Sequence, residues 1–252
     1  MTASEASVTP LISAHRGGRQ EAPENTLDAF RKAADNGIPG AECDLHLSAD
    51  GVPVVIHDAT VDRTTNGTGE VHELTVEKLA ALDARADFVD WPTRPRVPTF
   101  AELMEIATSI DYMEVEIKPD APERIERLLP RVIEEIDRVK AREMIRFISF
   151  DPDIVAACHR LAPDISLSLL TLQTTPKEIQ DALRLGCDGI AGDVRTLTQE
   201  FTDMAHHEGL KVTCWTVNSD EDFDNMVAWG VDVVTTDRPT HMRDRLKSMR
   251  SR

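Results

Sequence analysis

The sequence lacks the long apolar runs that mark a membrane protein. No run among its 252 residues approaches the roughly 20 apolar residues that a membrane-spanning helix needs. Residues 1–10 also lack the basic and then apolar segments of a secretory signal peptide. We therefore expect a soluble protein of the cytoplasm, with no segment that spans a membrane.

Cysteine is scarce, and its spacing is uninformative. The four cysteines form no C-x-x-C pair and do not match the ligand spacing of a zinc site: Cys43, Cys158, Cys187 and Cys214. Three of them lie in apolar strand or helix patterns, where a small buried thiol is the usual role of cysteine. Nothing in the sequence therefore calls for a disulfide or a zinc site.

Positive charge is also in short supply. The chain has 28 lysines and arginines against 45 aspartates and glutamates, for a net charge of −17 at pH 7. Proteins that bind nucleic acid usually carry a basic patch, and docking on anionic membranes needs clusters of lysine and arginine. The charge balance argues against both classes of partner, so we expect a small-molecule substrate.

What the chain does contain is a regular alternation of short apolar runs and helical patterns. With 41% apolar and 29% charged residues it is an ordinary globular protein, and its length suits one α/β barrel domain over residues 1–252. The eight predicted strands are Leu11–His15, Ala41–His46, Met113–Ile117, Met144–Ser149, Ile165–Leu170, Cys187–Ala191, Lys211–Val217 and Val231–Thr236.

Helix signals stand between these strands. Thr99–Glu102, Thr175–Glu178 and Ser219–Asp222 have the spacing of capping boxes at helix starts. The segment Glu123–Lys140 has apolar residues at helical spacing, and Pro130 inside it predicts a kink or a break. The stretch between strands 2 and 3 does not follow this alternation of strands and helices. We expect a small capping insertion there, at about residues 58–97, over the barrel mouth.

Eight successive βα units predict a closed (β/α)8 TIM barrel. The alternative is an open doubly wound sheet, whose first βα turn would carry a G-x-G-x-x-G fingerprint if it bound a dinucleotide. Residues 15–19 read His-Arg-Gly-Gly-Arg and do not match that fingerprint. The fold class we predict is therefore α/β, a single TIM barrel with one capping insertion.

Polar residues interrupt the strands near their carboxyl ends, where the active sites of these barrels lie. They are His15 and Arg16 after strand 1, Glu42 and Asp44 on strand 2, His57 at the start of the insertion, and Glu114, Glu116 and Lys118 on strand 3. Residues two apart on a strand share a face, so the carboxylates of strands 2 and 3 can point together into the barrel mouth.

This combination of side chains predicts metal-assisted cleavage of a phosphodiester. Carboxylates crowded on two adjacent strands are costly unless they are paired or bind a metal. Mg²⁺ and Ca²⁺ prefer oxygen ligands, whereas Zn²⁺ is disfavoured because the strand rows offer it no histidine or cysteine. His15 and His57 suit proton transfer, and Arg16 and Lys118 can neutralise a phosphate.

Each candidate has a structural alternative. His15 could be a purely structural histidine, and His57 could simply pair with Asp58 in a loop. Lys118 could serve as an ion-pair partner of the neighbouring carboxylates. Glu114 is as compatible with an ion-paired or solvated carboxylate as with a fourth metal ligand.

The candidates belong to a longer series of motifs that spans about residues 11–240. The series runs His15-Arg16-Gly17, Pro23-Glu24-Asn25-Thr26, Ala29-Phe30, Glu42-x-Asp44, Asp50-Gly51-x-Pro53-Val54-Val55-x-His57-Asp58, Arg63-Thr64-Thr65-x-Gly67-x-Gly69, Pro98-Thr99, Glu116-Ile117-Lys118, Ser149-Phe150, Trp215-Thr216-Val217-Asn218 and Thr236-Asp237-x-Pro239. In this order and spacing the sequence resembles the glycerophosphodiester phosphodiesterase family.

The resemblance implies a (β/α)8 barrel that hydrolyses glycerophosphodiesters to sn-glycerol 3-phosphate and an alcohol. It implies one divalent metal ion, Mg²⁺ or Ca²⁺, and the following roles: Glu42, Asp44 and Glu116 as metal ligands, His15 and His57 as the acid/base pair, and Arg16, Lys118 and Trp215 as substrate contacts. Trp215 could equally serve only barrel packing. Glu114 departs from the family, in which many members carry a small polar residue such as asparagine there.

Three alternatives to this function stay open at this point. The nearest is a related barrel phosphodiesterase that acts on lysophospholipids or other headgroup diesters, which an exposed apolar patch around the mouth would favour. The others are a metal-dependent barrel enzyme for sugars or carbonyl compounds and a non-catalytic ligand-binding barrel. Within the main hypothesis, the nucleophile is either water or the glycerol 2-hydroxyl.

Overall fold

The computed structural model describes residues 9–86, 88–107 and 109–250. Within these ranges the strands are β1 (Leu11–Ala14), β2 (Gly40–Leu47), β3 (Pro53–Val55), β4 (Tyr112–Ile117), β5 (Ile145–Ser149), β6 (Ser166–Thr171), β7 (Gly189–Asp193), β8 (Lys211–Trp215) and β9 (Val233–Thr236). The helices are α1 (Leu27–Asp35), α2 (Val76–Ala80), α3 (Phe100–Ala107), α4 (Pro122–Arg138), α5 (Pro152–Leu161), α6 (Pro176–Arg184), α7 (Gln199–His207), α8 (Asp220–Ala228) and α9 (Pro239–Arg250).

All the described strands except β3 close into one parallel barrel. Strand β1 pairs with β9 on one side, with Leu11 opposite Val233, and with β2 on the other, with Ser13 opposite Gly40. Helices follow the barrel strands around the outside, which is the (β/α)8 arrangement predicted from the sequence. The predicted TIM barrel is confirmed.

The main core lies between the barrel and its ring of helices. The outward-facing strand residues Cys43 and Val115 are completely buried there, together with Phe30 and Phe100 from the helices. All four cysteines are buried and free. No helix in the described ranges is both long enough and apolar enough to cross a bilayer.

An insertion lies between β3 and α3, and the structure describes its residues 56–86 and 88–99. Strand β3 pairs antiparallel with the end of β2, and the short helix α2 follows. The insertion and β3 share a small apolar cluster, separate from the main core: Val54, Ile56, Val61, Val71, Leu79, Ala84 and Val97. The backbone hydrogen bond from Ile56 N to Asp44 O, 3.0 Å, joins the insertion to the barrel strand β2.

The helix starts follow the predicted capping chemistry. At α6, Thr175 and Glu178 form a complete capping box, with Pro176 at the first turn. At α3, Thr99 and Glu102 exchange the same pair of hydrogen bonds, at 3.0 and 3.2 Å. These caps satisfy backbone N–H groups that have no partner within the helix.

Three strands differ from the sequence predictions by two residues at one end or at both, and one helix differs too. The strand predicted at Val231–Thr236 begins at Val233. The strand predicted at Cys187–Ala191 is Gly189–Asp193, because the Asp188 carboxylate binds Leu167 N and the Arg146 guanidinium below the barrel. The strand predicted at Lys211–Val217 ends at Trp215. The predicted break at Pro130 is wrong: α4 continues through it, since Pro130 lies on the exposed face while the buried stripe of the helix is uninterrupted.

Candidate active site

Three carboxylates meet at the carboxyl end of the barrel. Glu42 and Asp44 lie on β2, and Glu116 lies directly opposite Asp44 on β4. Each offers an oxygen within 4.8 Å of the others, and all three residues are buried. The alternation of a β-strand produces this convergence, because it turns Cys43 and Val115 outward and these acids inward.

The carboxylates carry more negative charge than a buried site tolerates alone. Burial and the neighbouring carboxylates raise the pKa of Glu42 well above its usual value. Burial and the charge of Asp44 likewise raise the pKa of Glu116 to about 7. Burial alone would raise the pKa of Asp44 too, but the charges of Lys118 and Arg16 outweigh it and lower that pKa. The cluster therefore favours an added positive charge.

The residues present fit a hard divalent cation. Asp44 Oδ1 is buried without a hydrogen-bond partner, although Lys118 Nζ lies 3.1 Å away as an ion-pair partner. The other oxygen, Asp44 Oδ2, accepts a hydrogen bond of 2.7 Å from Asn25 Nδ2. A buried carboxylate oxygen that accepts no hydrogen bond and lies beside two further carboxylates is the kind of ligand that Mg²⁺ and Ca²⁺ prefer.

His15 and Asp237 form a buried histidine–aspartate pair beside the carboxylates. His15 follows β1, and its Nδ1 lies 2.6 Å from Asp237 Oδ1 at the end of β9. Its other nitrogen, Nε2, lies 4.0 Å from Glu42 Oε2 and so faces the carboxylate cluster. Asp237 is held in place by Asn218 Nδ2 at 2.8 Å and by Arg19 Nε at 3.1 Å.

The electrostatics of this pair suit proton transfer through Nε2. Burial alone would raise the pKa of Asp237, but the hydrogen bond and charge of His15 and the charge of Arg19 lower it to about 2. Burial lowers the pKa of His15, although Asp237 works in the opposite direction. Asp237 thus stays ionised and accepts the Nδ1 proton, which leaves His15 Nε2 as the free base.

A second histidine–aspartate pair stands at the edge of the insertion. His57 Nδ1 lies 2.6 Å from Asp58 Oδ1. Arg63 Nε and Nη2 donate to the two Asp58 oxygens at 2.7 and 3.0 Å, and the same guanidinium donates twice to Glu24 at 2.9 Å. Burial lowers the pKa of His57, as it does for His15. Hydrogen bonds from Arg63 hold the pKa of Asp58 below its usual value.

The two cations at the site are already partnered by acids. Arg16 Nη1 donates to Glu24 Oε1 at 2.9 Å, and the backbone N of Arg16 donates to Glu42 Oε2 at 2.9 Å. Lys118 Nζ donates to Glu116 Oε1 at 2.8 Å. A left-handed backbone at Arg16, with φ of 53°, aims its N–H at Glu42 and marks a conformation that functional sites often hold.

One pocket at the carboxyl end of the barrel brings most of the candidate residues together. Of the eight predicted site residues, it is lined by His15, Arg16, Glu42, His57, Glu116, Lys118 and Trp215. Asp44 lies just below the pocket surface. Trp215 is half-buried on the opposite wall, where its Nε1 donates to Ala191 O at 3.1 Å.

Glu114 reaches the pocket but stands apart from the three clustered acids. Thr235 Oγ1 and Ser13 Oγ donate to its Oε2 at 2.9 and 3.3 Å, and Tyr112 OH donates to Oε1 at 3.2 Å. Burial raises its pKa, against these hydroxyl groups. Hydroxyl groups of the protein, and not solvent, therefore satisfy the Glu114 carboxylate, which lies outside the group of three acids that could hold a metal ion.

Sequence reasoning gave no role to several residues that hold the site together. They are Asp237, Asn218, Arg63, Glu24 and Asn25. Each lies in a motif recognised in the sequence, such as Thr236-Asp237-x-Pro239. Their partners are distant in the chain, however: Asp237 is 222 positions from His15. The motifs mark these residues, and only the fold shows what they contact.

Comparison with known proteins decides the family. A model of the glycerophosphoryl diester phosphodiesterase family matches residues 15–241. The chain belongs to this family. It is 34% identical to a glycerophosphodiester phosphodiesterase of Caldanaerobacter subterraneus over 91% of this chain and 94% of the relative. Glycerophosphodiester phosphodiesterase 1 of Bos taurus is 51% identical over a shorter stretch, 35% of this chain and 28% of the relative.

Solved structures agree with this membership. A phosphodiesterase of Oleispira antarctica, solved in complex with the product sn-glycerol-3-phosphate, has a TM-score of 0.89 and 25% identity, covering 94% of this chain and 97% of that one. A glycerophosphoryl diester phosphodiesterase from Silicibacter pomeroyi has the same TM-score at 27% identity, covering 97% and 95%. The protein is an enzyme, a phosphoric diester hydrolase of the glycerophosphodiester phosphodiesterase type.

Proposed function

We propose that this enzyme hydrolyses glycerophosphodiesters to sn-glycerol 3-phosphate and an alcohol, with a divalent cation as cofactor and His15 and His57 as acid and base. One observation carries the proposal. Two histidine–aspartate pairs, each with a distance of 2.6 Å, flank three clustered carboxylates in a single pocket. The family match and the product bound to the Oleispira antarctica relative support the same reaction.

Glu42, Asp44 and Glu116 are the residues that would hold Mg²⁺ or Ca²⁺. When bound there, the cation supplies electrostatic stabilisation of the negative charge that develops on the phosphoryl oxygens. Arg16 and Lys118 add positive charge from the protein side and position the phosphate. Because both are already paired with acids, they are held in place before the substrate arrives.

The two histidines divide the proton transfers. One accepts at Nε2 the proton of the attacking hydroxyl as the new P–O bond forms. The other, protonated, donates its proton to the leaving alcohol oxygen as the old P–O bond breaks. Asp237 and Asp58 fix each ring by accepting from Nδ1. The attacking hydroxyl belongs either to water or to the glycerol 2-hydroxyl, and in the second case water then opens a cyclic phosphate.

Release of glycerol 3-phosphate from glycerophosphocholine with Mg²⁺ present tests the proposal. We expect His15→Ala, His57→Ala and Glu42→Ala each to lower the rate by roughly a hundredfold or more, the usual contribution of acid/base groups. His72→Ala and Glu77→Ala change exposed residues outside the pocket and serve as matched controls. Folded wild-type protein that releases no product, or full activity in both histidine variants, would refute it.

A cytoplasmic location and the absence of nucleic-acid and membrane partners rest on the sequence alone and stay predictions. Family membership removes two of the alternatives considered at the outset, the sugar or carbonyl enzyme and the non-catalytic barrel.

A further inference from the structure

Glu114 is an acid of the pocket lining that the proposed mechanism does not use. It lies on β4, two residues before Glu116, and is 1% exposed. A carboxyl group buried this completely is costly unless its oxygens accept hydrogen bonds. The groups that donate to Glu114 therefore show which parts of the barrel this side chain connects.

The Glu114 side chain connects β4 to two strands with which β4 does not pair. Thr235 Oγ1 on β9 donates to Glu114 Oε2 at 2.9 Å, and Ser13 Oγ on β1 donates to the same oxygen at 3.3 Å. Strand β4 pairs with β2 and β5, so both hydrogen bonds cross the barrel interior. Ser13 and Thr235 are themselves buried, so solvent has little access to this connection.

The two connected strands lead to the buried histidine–aspartate pair. Ser13 lies opposite Thr235 in the ladder between β1 and β9. His15 and Asp237 lie two positions further along, each just past the end of its strand. Their side chains meet at 2.6 Å. Because the ladder ends before this pair, the spacing of the pair depends on where the last paired residues of β1 and β9 stand.

Glu114 does more than balance the charge of a neighbouring cation. Arg146 lies opposite Glu114 on β5 and is buried. Its guanidinium donates to the two Asp188 oxygens at 2.8 and 3.0 Å and to Ser168 Oγ at 2.9 Å. The hydrogen bonds of Arg146 therefore go to β6 and to the residue before β7, whereas Glu114 Oε2 accepts its hydrogen bonds from β1 and β9.

We propose that Glu114 is a positioning residue for the His15–Asp237 pair. By accepting from Ser13 and Thr235, its carboxylate holds β1 and β9 in the arrangement that brings the pair together. The inference rests on the proposed function, because it assumes that His15 transfers a proton. Glu114 acts through the two strands and needs no contact with the substrate. Its removal should therefore lower kcat, which depends on the orientation of His15, and leave KM nearly unchanged.

Steady-state kinetics on glycerophosphocholine with Mg²⁺ tests this with two substitutions. Glu114→Met keeps a similar length but has no acceptor oxygen, so we expect kcat to fall by about tenfold, since a small misplacement of a catalytic group is costly. KM should change by less than about twofold. Glu114→Gln keeps an oxygen that can accept from both hydroxyl groups, so it should retain most of kcat.

Tyr112→Phe is the matched control. It removes the hydroxyl group that donates to Glu114 Oε1 at 3.2 Å and leaves the contacts of Oε2 with β1 and β9 in place. Its kcat should equal that of wild type. A loss of kcat in Tyr112→Phe as large as in Glu114→Met would overturn the inference, because the connection to β1 and β9 would then not be the cause.

The same change in an Asp237→Asn background separates positioning from a merely structural role. Asp237→Asn already disables the pair, so Glu114→Met should lower kcat no further there, whereas a structural role would lower kcat by the same factor in both backgrounds. A second measurement does not need activity. The low-field proton NMR signal of His15 Nδ1–H, assigned by its absence in His15→Ala, should shift in Glu114→Met and stay in place in Tyr112→Phe.

Thr235→Val replaces Glu114→Met if the methionine variant does not fold, because valine has the shape of threonine without the hydroxyl donor. Wild-type kcat in the variant, an equal fall of kcat in both backgrounds, or an unshifted His15 signal would overturn the inference and leave the proposed function standing. Folded wild-type protein that cleaves no glycerophosphocholine would overturn the proposed function. The His15 signal alone would then decide whether Glu114 positions the ring.

Discussion

At the scale of single residues, the histidines depend on the acids behind them. Asp237 and Asp58 each accept from a histidine Nδ1 at 2.6 Å, but they are held differently. Asp237 is almost completely buried and is bound by the neutral amide of Asn218 as well as by Arg19. Asp58 is partly exposed and accepts hydrogen bonds from Arg63 at both carboxylate oxygens. The proposed proton transfers therefore rest on carboxylates that never touch the substrate.

We predict that Asp237→Asn lowers kcat by about a hundredfold with a much smaller change in KM. The amide would present a donor to Nδ1 and favour the tautomer that puts a proton on Nε2, which disables the base. Steady-state kinetics with glycerophosphocholine measures this. Asp220→Asn is a matched control, because Asp220 pairs with His241 at 2.6 Å on the surface. Equal kinetics in Asp237→Asn and wild type would show that Asp237 does not position His15.

Asp237 also makes stability depend on pH. Its folded pKa of about 2 lies below the usual value of about 3.9, so the ionised form stabilises the fold. This contribution, about 2.5 kcal/mol, is complete above about pH 5 and is lost as the pH falls toward 2. We expect about 1 kcal/mol of it to disappear between about pH 5 and pH 3. Urea unfolding of wild type and Asp237→Asn should show their difference shrinking by that amount, and a constant difference would contradict the assignment.

For single residues, the sequence predicted correctly which side chains point into the barrel wherever the alternation of a strand alone decides this. Glu42, Asp44 and Glu116 come together because adjacent parallel strands keep inward residues in register. The alternation also turned Glu114 inward, but it could not reveal the hydroxyl groups of Ser13 and Thr235 that satisfy it. Those groups lie on β1 and β9, more than a hundred positions away in the chain.

At the scale of elements, the insertion contributes directly to the active site. Arg63 bridges Asp58, behind His57, and Glu24, which binds Arg16. Acidic and basic side chains alternate along this path, so the Arg63 guanidinium supports the positions of His57 and Arg16 together. Its hydrogen bonds to Glu24 and Asp58 raise the already high pKa of Arg63, so it stays charged.

We predict that Arg63→Met lowers kcat/KM by about tenfold or more, because His57 and Arg16 both lose their support. Arg63→Lys should recover part of the activity, since one ammonium group cannot hold two carboxylates in fork geometry. Kinetics on glycerophosphocholine tests this, with circular dichroism to verify folding. The matched control is Arg85→Met, which removes a similar double contact to Asp83 elsewhere in the insertion. Wild-type kinetics in Arg63→Met would contradict the positioning role.

Element order was predictable because apolar runs and helix caps are local signals. The residues at which strands and helices begin and end were harder to predict. The start of β7 depends on Asp188 binding Arg146 from another strand, at 2.8 Å, which no local pattern encodes. Likewise, Pro130 is tolerated because its face of α4 is exposed and the buried side, with Leu129 and Val132, keeps packing. Tertiary packing outweighs one lost backbone hydrogen bond there.

At the scale of the whole molecule, the insertion and the barrel should behave as one domain. The seven-residue core of the insertion is too small to fold alone. It is attached to the barrel by Trp91 Nε1, which donates to Asp28 Oδ2 at 3.0 Å, and by Ile56 N, which donates to Asp44 O at 3.0 Å. Lys32 also lies over the Trp91 ring, 5.4 Å from its centroid.

We therefore predict that the insertion and the barrel unfold in one cooperative transition. In a variant with Trp215→Phe and Trp229→Phe, Trp91 is the remaining tryptophan and reports on the insertion. Its fluorescence and the far-ultraviolet circular dichroism of the barrel should follow the same urea curve. An earlier fluorescence transition would mean that the insertion unfolds separately from the barrel.

The closed barrel also determines which side chains face each other across the pocket. Closure places the strands that carry the clustered acids opposite β6 to β8, so one pocket is lined by charged side chains on one side and by Leu170, Ala191 and Trp215 on the other. Charge steering by the whole molecule cannot attract an anionic diester, because the net charge is −17. In the proposed function, the local cations must supply that attraction: Arg16, Lys118 and the divalent cation that the three acids would hold.

The most direct test of this account is a ³¹P NMR time course of glycerophosphocholine with the purified enzyme, in Mg²⁺, in Ca²⁺ and in excess chelator. The account predicts that the diester signal is replaced by that of sn-glycerol 3-phosphate when a suitable cation is present, and that chelator abolishes this conversion. Conversion at an equal rate in chelator, or an unchanged diester signal with folded protein and either cation, would contradict it.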